Sequence, residues 1–182
     1  LFTKGNVVAI EPDPENFSFL KKNKNINGLE NLLIHQLAIS DFCGSGSLFL
    51  NSENRGDHRI YDEDEKRIEI QVKIITLDSL IQTNLISKVD IVKFDTQGAD
   101  FKVLNGMQKT IHENPNLLIF VEFWPWGLLS AGDDPKLMID FIKEKKFRIF
   151  NAETKKLINL KVLYKMISHN RERDHINLML KR

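Results

Sequence analysis

The stretch VVAIEPDPENF, residues 7–17, decides how the chain is read. Val7, Val8, Ala9 and Ile10 form a short, mostly β-branched apolar run, as expected of a strand, and the run stops on the carboxylate of Glu11. Pro12-Asp13-Pro14 turns the chain, and Asp13 before Pro14 and Glu15 has the form of a helix start: a capping side chain, a proline in the first turn and an acid near the positive end of the helix dipole. A strand that ends in an acid and turns directly into a helix is half of a βαβ unit. In open parallel sheets ligands sit beyond the carboxyl ends of the strands, so Glu11 is a candidate ligand residue. Its carboxylate could accept both hydroxyls of a ribose diol; the alternative is a solvated acid beside a turn.

The alternation continues downstream. The helix opened by Asp13 should stop near Asn27-Gly28, and NLLIHQLAI, residues 31–39, reads as a second strand closed by Ser40-Asp41 and the turn-rich CGSGS. SLFLN and RIEIQVKIITL then carry the period-two pattern of antiparallel strands with one wet face, joined by a polar surface loop, SENRGDHRIYDEDEK, expected to be mobile. Thr76-Leu77-Asp78 opens a short helix to Ile86, KVDIVKFD is a strand ending on Asp95, and a helix follows from Gly98 to Ile111. NLLIFVEF, residues 116–123, is the most apolar strand and is placed centrally. Asp133-Asp134-Pro135 starts a helix to about Lys146, FRIF follows as a strand, and HINLMLKR closes the chain after the polar loop SHNRERD. The expectation is an α/β fold with one mostly parallel, Rossmann-like sheet in a single domain over residues 1–182, its last strand antiparallel.

Composition narrows the function classes. With 182 residues, 42% of them hydrophobic and 28% charged, the chain has the balance of one soluble globular domain. Twenty-six basic against twenty-five acidic residues give a net charge of +1, which argues against a nucleic-acid surface. No apolar run approaches the ~20 residues of a membrane helix, so no membrane insertion is expected. The lone Cys43 excludes an internal disulfide and fits a reducing, cytoplasmic setting. The five histidines show no metal-ligand spacing, and there is no P-loop or G-x-S-x-G elbow, so no metal site is expected.

Four further strand-end features carry chemistry. Asp41 could accept an adenine amino group while neighbouring backbone meets the ring, or it could cap its own turn. Asp95, followed by Gly98 where the chain turns sharply, either projects into the crevice or begins a helix as an Asx turn. Glu122, within FVEFWPW, is costly in so apolar a strand unless it is a site residue or an ion-paired structural one. Trp124 and Trp126 offer flat faces to an acceptor ring, or they pack beneath the next helix.

Taken in order, VVAIEPDPENFSFLKKNKNING, LAISDFCGSGSLFL, ITLDSL, VDIVKFDTQGADFKVLNGM and LLIFVEF resemble the FkbM-type family of S-adenosylmethionine-dependent methyltransferases over residues 7–150. The resemblance implies a class I methyltransferase sheet with HINLMLKR as its antiparallel last strand. It implies S-adenosylmethionine as cofactor, with Glu11 on the ribose and Asp13 beside it, Ile39, Ser40 and Asp41 around the adenine, and Asp95 bordering the methyl-transfer cavity. It also implies O-methylation of a hydroxyl on a small-molecule or carbohydrate acceptor: a sugar, a glycan or a natural product. On this reading Asp95 or Glu122 orients or deprotonates the hydroxyl, and Trp124 or Trp126 packs on its ring.

The chain departs from the family twice. The family's D-x-E-G is Asp95-Thr96-Gln97-Gly98, which loses one charge. The glycine-rich D-x-G-A-N-x-G strand and loop expected ahead of Glu11 is not among these residues, and the chain opens on Leu1; the sheet is therefore expected to be N-terminally incomplete, with its first strand absent or truncated. Two other readings stay open on the residues alone: a non-catalytic fragment or degenerate Rossmann-like domain, and an NAD-dependent oxidoreductase, which also favours an acid at Glu11.

Overall fold

The computed structural model describes residues 5–62 and 67–182. The elements follow as β1 (Val7–Ile10), α1 (Pro14–Ile26), β2 (Leu32–His35), β3 (Ala38–Ile39), β4 (Gly44–Leu50), β5 (Ile68–Ile75), α2 (Leu77–Thr83) and β6 (Ile91–Lys93). The second half contains α3 (Asp100–Asn105), α4 (Gln108–Glu113), β7 (Leu118–Phe123), α5 (Pro125–Ser130), α6 (Pro135–Glu144), β8 (Arg148–Asn151), α7 (Leu160–His169) and β9 (Ile176–Lys181).

The helix starts are set by the residues that cap them. Asp13 accepts from the Asn16 amide at the head of α1, with Pro14 at its first position, and Thr76 and Asp134 cap α2 and α6 in the same way. The strands lie in a mixed arrangement. β1 pairs with β2 in parallel; β3, β5 and β4 form a three-stranded sheet; and β6, β7, β9 and β8 form a four-stranded one in that order. β6 and β7 are parallel, whereas β9 runs antiparallel to both β7 and β8, as expected for the closing strand. Among the described strands parallel and antiparallel pairings are equally frequent, so the expected predominance of parallel pairing is not seen: β4 returns on β5 antiparallel over seven residue pairs, and β9 has two antiparallel neighbours.

β7 is central, as its apolar sequence requires: Ile119, Val121 and Phe123 are buried between β6 and β9. The core continues into Leu104, Met107 and Ile111 of the α3–α4 segment and into Met138, Ile139, Ile142 and Leu163 of α6 and α7, each wholly or almost wholly removed from solvent. Burying each such side chain contributes about 1.5–3 kcal/mol. Val8 and Ile10 of β1 and Val92 and Phe94 around β6 pack against this same core.

The structure differs from the sequence reading in further places, and residues 44–47 of the turn-rich CGSGS already belong to β4. The strand expected over residues 31–39 is two strands in different sheets, because Leu37 turns into the core and releases Ala38 and Ile39 to pair with β5. The helix expected from Gly98 to Ile111 is broken into α3 and α4 at Gly106-Met107. A Cβ at Gly106 would stand 2.0 Å from the Ser40 carbonyl oxygen, so the break is where the helix backbone meets the end of β3. The described part of the β4–β5 loop is tied down: Arg59 exchanges two backbone hydrogen bonds with Phe49, while residues 63–66 of that loop lie outside the described residues. Finally, α5 and α7 occupy stretches assigned no helix from sequence; α7 is capped by Asn159 and buries Leu163 with Leu160, Met166 and Ile167 at helical spacing.

Candidate active site

The parallel register of β6 and β7 pairs Lys93 with Phe120, so Asp95, just past β6, and Glu122, near the end of β7, leave the sheet at the same carboxyl edge. Between Asp95 and α3 the backbone makes a tight turn in which Gln97 and Gly98 both adopt positive φ, 51° and 98°. A side chain at Gly98 would stand 2.4 Å from the Gly127 carbonyl oxygen, so the turn is pressed against α5. The side chain of Asp100, 1% exposed, accepts long hydrogen bonds from the amides of Thr96 and Gly98, 3.4 and 3.3 Å, and holds the turn from behind. In front, the Gln97 amide donates to Asp95 Oδ1 at 3.0 Å, and the Lys93 ammonium lies 3.8 Å from Asp95 Oδ2.

Three carboxylates thus share one corner, and their electrostatics follow. Burial, then the charges of Glu122 and Asp95, pushes the Asp100 carboxyl up to about 7 against the two backbone amides that favour its anion. Glu122 is raised as well, first by burial and then by Asp95, with His175 and Lys93 acting in the opposite direction. The His175 imidazole is 3.8 Å from Glu122 Oε1.

An open cleft of about 400 Å³ lies against this corner, lined by Gln97, Glu122, Trp124 and His175 on one side and by Asp57 and Arg59 of the β4–β5 loop on the other. Trp124 is 7% exposed and stacks at 5.3 Å against Trp126, which lies outside the cleft's lining. The Arg59 guanidinium covers both rings, 5.2 and 5.9 Å from their centres, and donates to Asp57 Oδ1 at 2.7 Å. Burial alone would raise the Asp57 carboxyl, but bonds from Arg67, Arg59 and Asn51 outweigh it and hold the group below its ordinary range.

The residues assigned to a nucleotide form a second corner. Glu11 Oε1 accepts the Asp13 amide at 2.9 Å, and burial raises the Glu11 carboxyl more than that bond lowers it. A half-buried carboxylate at a strand end suits a diol, whose two hydroxyl donors would offset its desolvation. Asp13 is buried, caps α1 and lies 3.7 Å from His58 Nε2. At the end of β3, Ile39 is half-buried, Ser40 is buried and donates to Asp41 Oδ1 at 3.1 Å, and Asp41 itself is exposed. The β4–β5 loop spans from this corner to the cleft: the Arg55 carbonyl accepts from Asn16, the Arg55 side chain pairs with Glu15, and Asp57 and Arg59 follow into the cleft wall.

The structure therefore brings Glu122 and Trp124 into one cleft, sets Asp95 directly behind it, and keeps Glu11, Asp13 and Asp41 at a separate corner. Sequence reasoning marked Gln97 only as a departure from the family's D-x-E-G and missed Asp100, Arg59 and His175. Asp100 left one signal, an acid in an otherwise apolar helix start; Arg59 and His175 are drawn in only by tertiary folding.

A family model described as Methyltransferase FkbM domain matches residues 1–149. The hexuronic acid methyltransferase AglP of Haloferax volcanii is 30% identical over 145 residues, covering 79% of this chain and 55% of that protein. Methyltransferase 1 of Beauveria bassiana is 23% identical over 125 residues, covering 58% of this chain and 50% of that protein. The chain thus spans about half the length of these curated relatives. The crystal structure of Methyltransferase FkbM from Methylobacillus flagellatus KT aligns with a TM-score of 0.56 at 12% identity over 96% of this chain and 36% of that one, a likeness of fold.

Proposed function

This chain belongs to the FkbM methyltransferase family, and from that premise we propose that it carries the acceptor cleft and part of the cofactor site of an S-adenosylmethionine-dependent O-methyltransferase acting on a sugar hydroxyl. One observation carries the acceptor half of the reading: Glu122, an acid in the most apolar strand, lines an open cleft beside Trp124, with the His175 imidazole 3.8 Å away on the same lining. A carboxylate there stands within a site that can hold a ring against an aromatic edge and receive a hydroxyl proton. The relative whose name gives its substrate is a hexuronic acid methyltransferase, which favours a sugar or glycan acceptor over other natural products.

On this reading Glu11 takes the cofactor's ribose diol, Asp13 stiffens the turn that presents it, and Ile39, Ser40 and Asp41 border the adenine. The cofactor supplies an electrophilic methyl carbon on a sulfonium. The chain's residues would do the rest: the cleft would orient the hydroxyl for in-line attack, and a carboxylate of the Asp95–Glu122 pair would take its proton. Residues 1–182 are read as one methyltransferase-like domain whose sheet is incomplete at its N-terminal side. β1 pairs only with β2 and β6 only with β7 among the described strands, and Val7 and Ile91 on these strands are 39% and 60% exposed. The family's glycine-rich first strand and loop belong between them.

The test is a calorimetric titration of the full-length protein with S-adenosylhomocysteine, followed by transfer of labelled methyl from S-adenosylmethionine to a panel of neutral sugars and uronic acids. Binding of the nucleoside with labelling of at least one sugar is expected. No binding and no labelling would remove the proposal.

A further inference from the structure

Two carboxylates border the transfer site, and the geometry separates their roles; the assignment rests on the methyltransferase reading above. Asp95 is engaged on both oxygens, Oδ1 by the Gln97 amide at 3.0 Å and Oδ2 by Lys93 at 3.8 Å, and it stands outside the cleft's lining. Glu122 lines the cleft, is 8% exposed, and has the His175 imidazole 3.8 Å from its Oε1. Gln97 lines the same cleft and reaches it from a left-handed backbone, a conformation that costs a non-glycine residue of order 1 kcal/mol and persists where the surroundings enforce it. Here the enforcement is visible: Asp100 holds the Thr96 and Gly98 amides, and Gly98 abuts Gly127.

We propose that Glu122 is the group that accepts the proton of the attacking hydroxyl, and that Gln97 is a positioning residue that acts by holding Asp95 beside it. The bookkeeping of the step is closed. The hydroxyl oxygen bonds the methyl carbon of the sulfonium donor, the carbon–sulfur pair returns to sulfur, and the O–H proton neutralises Glu122. An anion fixed at Asp95 makes that proton more welcome on Glu122, in line with the raised Glu122 carboxyl. The charged and titratable groups that face Glu122 are Lys93 and Asp95 from the β6 end, Asp100 from α3, His175 and Glu172 ahead of β9, and Asp57 and Arg59 from the β4–β5 loop. The Gln97 amide spends its hydrogen bond on Asp95 Oδ1, so its influence on Glu122 is assigned to the placement of Asp95.

That assignment gives a sharp experiment. The Glu122 carboxyl is followed by carbon-13 NMR through a pH titration of the full-length protein, with and without S-adenosylhomocysteine, and assigned by its loss in Glu122→Gln. Asp95→Asn should move the midpoint down by about one pH unit. Gln97→Leu should shift the midpoint in the wild-type background and leave it unmoved in the Asp95→Asn background. If the leucine is not tolerated at the left-handed position, Gln97→Gly deletes the same amide on a backbone that suits glycine. An equal Gln97 effect in both backgrounds, or a midpoint unmoved by Asp95→Asn, would overturn the assignment. In methyl transfer, Glu122→Gln should cost about 100-fold or more and Asp95→Asn about tenfold or less; the reverse ranking would also overturn it. The titration is readable without cofactor, so a protein that fails to bind S-adenosylhomocysteine sinks the methyltransferase reading separately from the arrangement of these three residues.

Discussion

The indole N–H of Trp124 donates to the main-chain carbonyl of Glu172 at 2.6 Å, fastening the residue after β7 to the loop that precedes β9. That loop begins at Asn170, the left-handed end of α7, and finishes at His175, the imidazole facing Glu122. One side-chain bond therefore sets both the aromatic edge of the cleft and the basic group opposite its carboxylate. Trp124→Phe keeps most of the ring and removes the donor. It should lower stability by about 1 kcal/mol, read as a fall in Tm, and speed amide hydrogen exchange selectively over residues 171–175. Unchanged exchange in that loop would show that the bond does not hold it.

Asp100 makes stability depend on pH in a direction opposite to that of most acids. Its folded-state carboxyl is pushed up to about 7, while in the unfolded chain it returns to the ordinary range near 3.8. Between those values the folded state keeps a proton that the unfolded state has released, so stability falls as pH rises from about 4 to about 7. Asp100→Asn removes the charge and leaves one acceptor oxygen, enough for either the Thr96 or the Gly98 amide, which the wild type bonds with different oxygens. Thermal melts of the variant should flatten this slope and give a Tm above wild type at about pH 8, by an amount worth on the order of a few kcal/mol. The advantage should vanish at about pH 4, where both carry a neutral side chain. A variant that loses stability at both ends would mean that the anion's hydrogen bonds, not its burial, dominate.

How far the sequence revealed this arrangement depends on whether a residue acts through its neighbours in the chain or across space. β1, its terminal Glu11, the Asp13 cap and α1 were legible because each rests on local chemistry: an apolar run, an acid at its end, a cap and a proline. The central place of β7 followed from its lack of a polar face. The break between α3 and α4 was not legible, because Gly106 is required by the distant Ser40 carbonyl and not by its neighbours. Likewise Asp95 and Glu122 could be picked as strand-end acids, but not ranked. Their difference lies in Gln97 holding one and the cleft receiving the other, which depends on a left-handed turn and on the parallel register of two strands.

Gly106 offers a direct test of that tertiary constraint. Its φ of −78° suits any residue, so Gly106→Ala is not a backbone-strain mutation and should favour helix locally. The added Cβ nevertheless meets the Ser40 carbonyl oxygen at 2.0 Å, backbone against backbone, and neither partner can rotate away. Chemical denaturation should show a loss of about 2–4 kcal/mol despite the better helix former. A neutral or stabilising result would mean that the end of β3 moves freely from α3, and Asp41 with it.

Glu11 is the last group whose role can be isolated, because a ribose diol can be taken apart chemically. If the carboxylate accepts both hydroxyls, S-adenosylhomocysteine should bind the full-length protein about tenfold or more tightly than its 2′-deoxyribose analogue, since losing one charge-assisted hydrogen bond costs about 1.5–3 kcal/mol. Glu11→Gln should weaken the ribose compound and erase most of the preference, because the neutral amide keeps one acceptor oxygen but no charge. Burial raises the Glu11 carboxyl above its ordinary value, so affinity should also decline on acidification, and should do so at a higher pH than an ordinary glutamate would require, as the group takes up a proton and loses its charge. In Glu11→Gln that decline should be absent. Calorimetry with the two nucleosides at about pH 8 and about pH 5 separates these expectations. Equal discrimination by wild type and variant would place the ribose elsewhere and leave Glu11 only the turn it makes with the Asp13 amide.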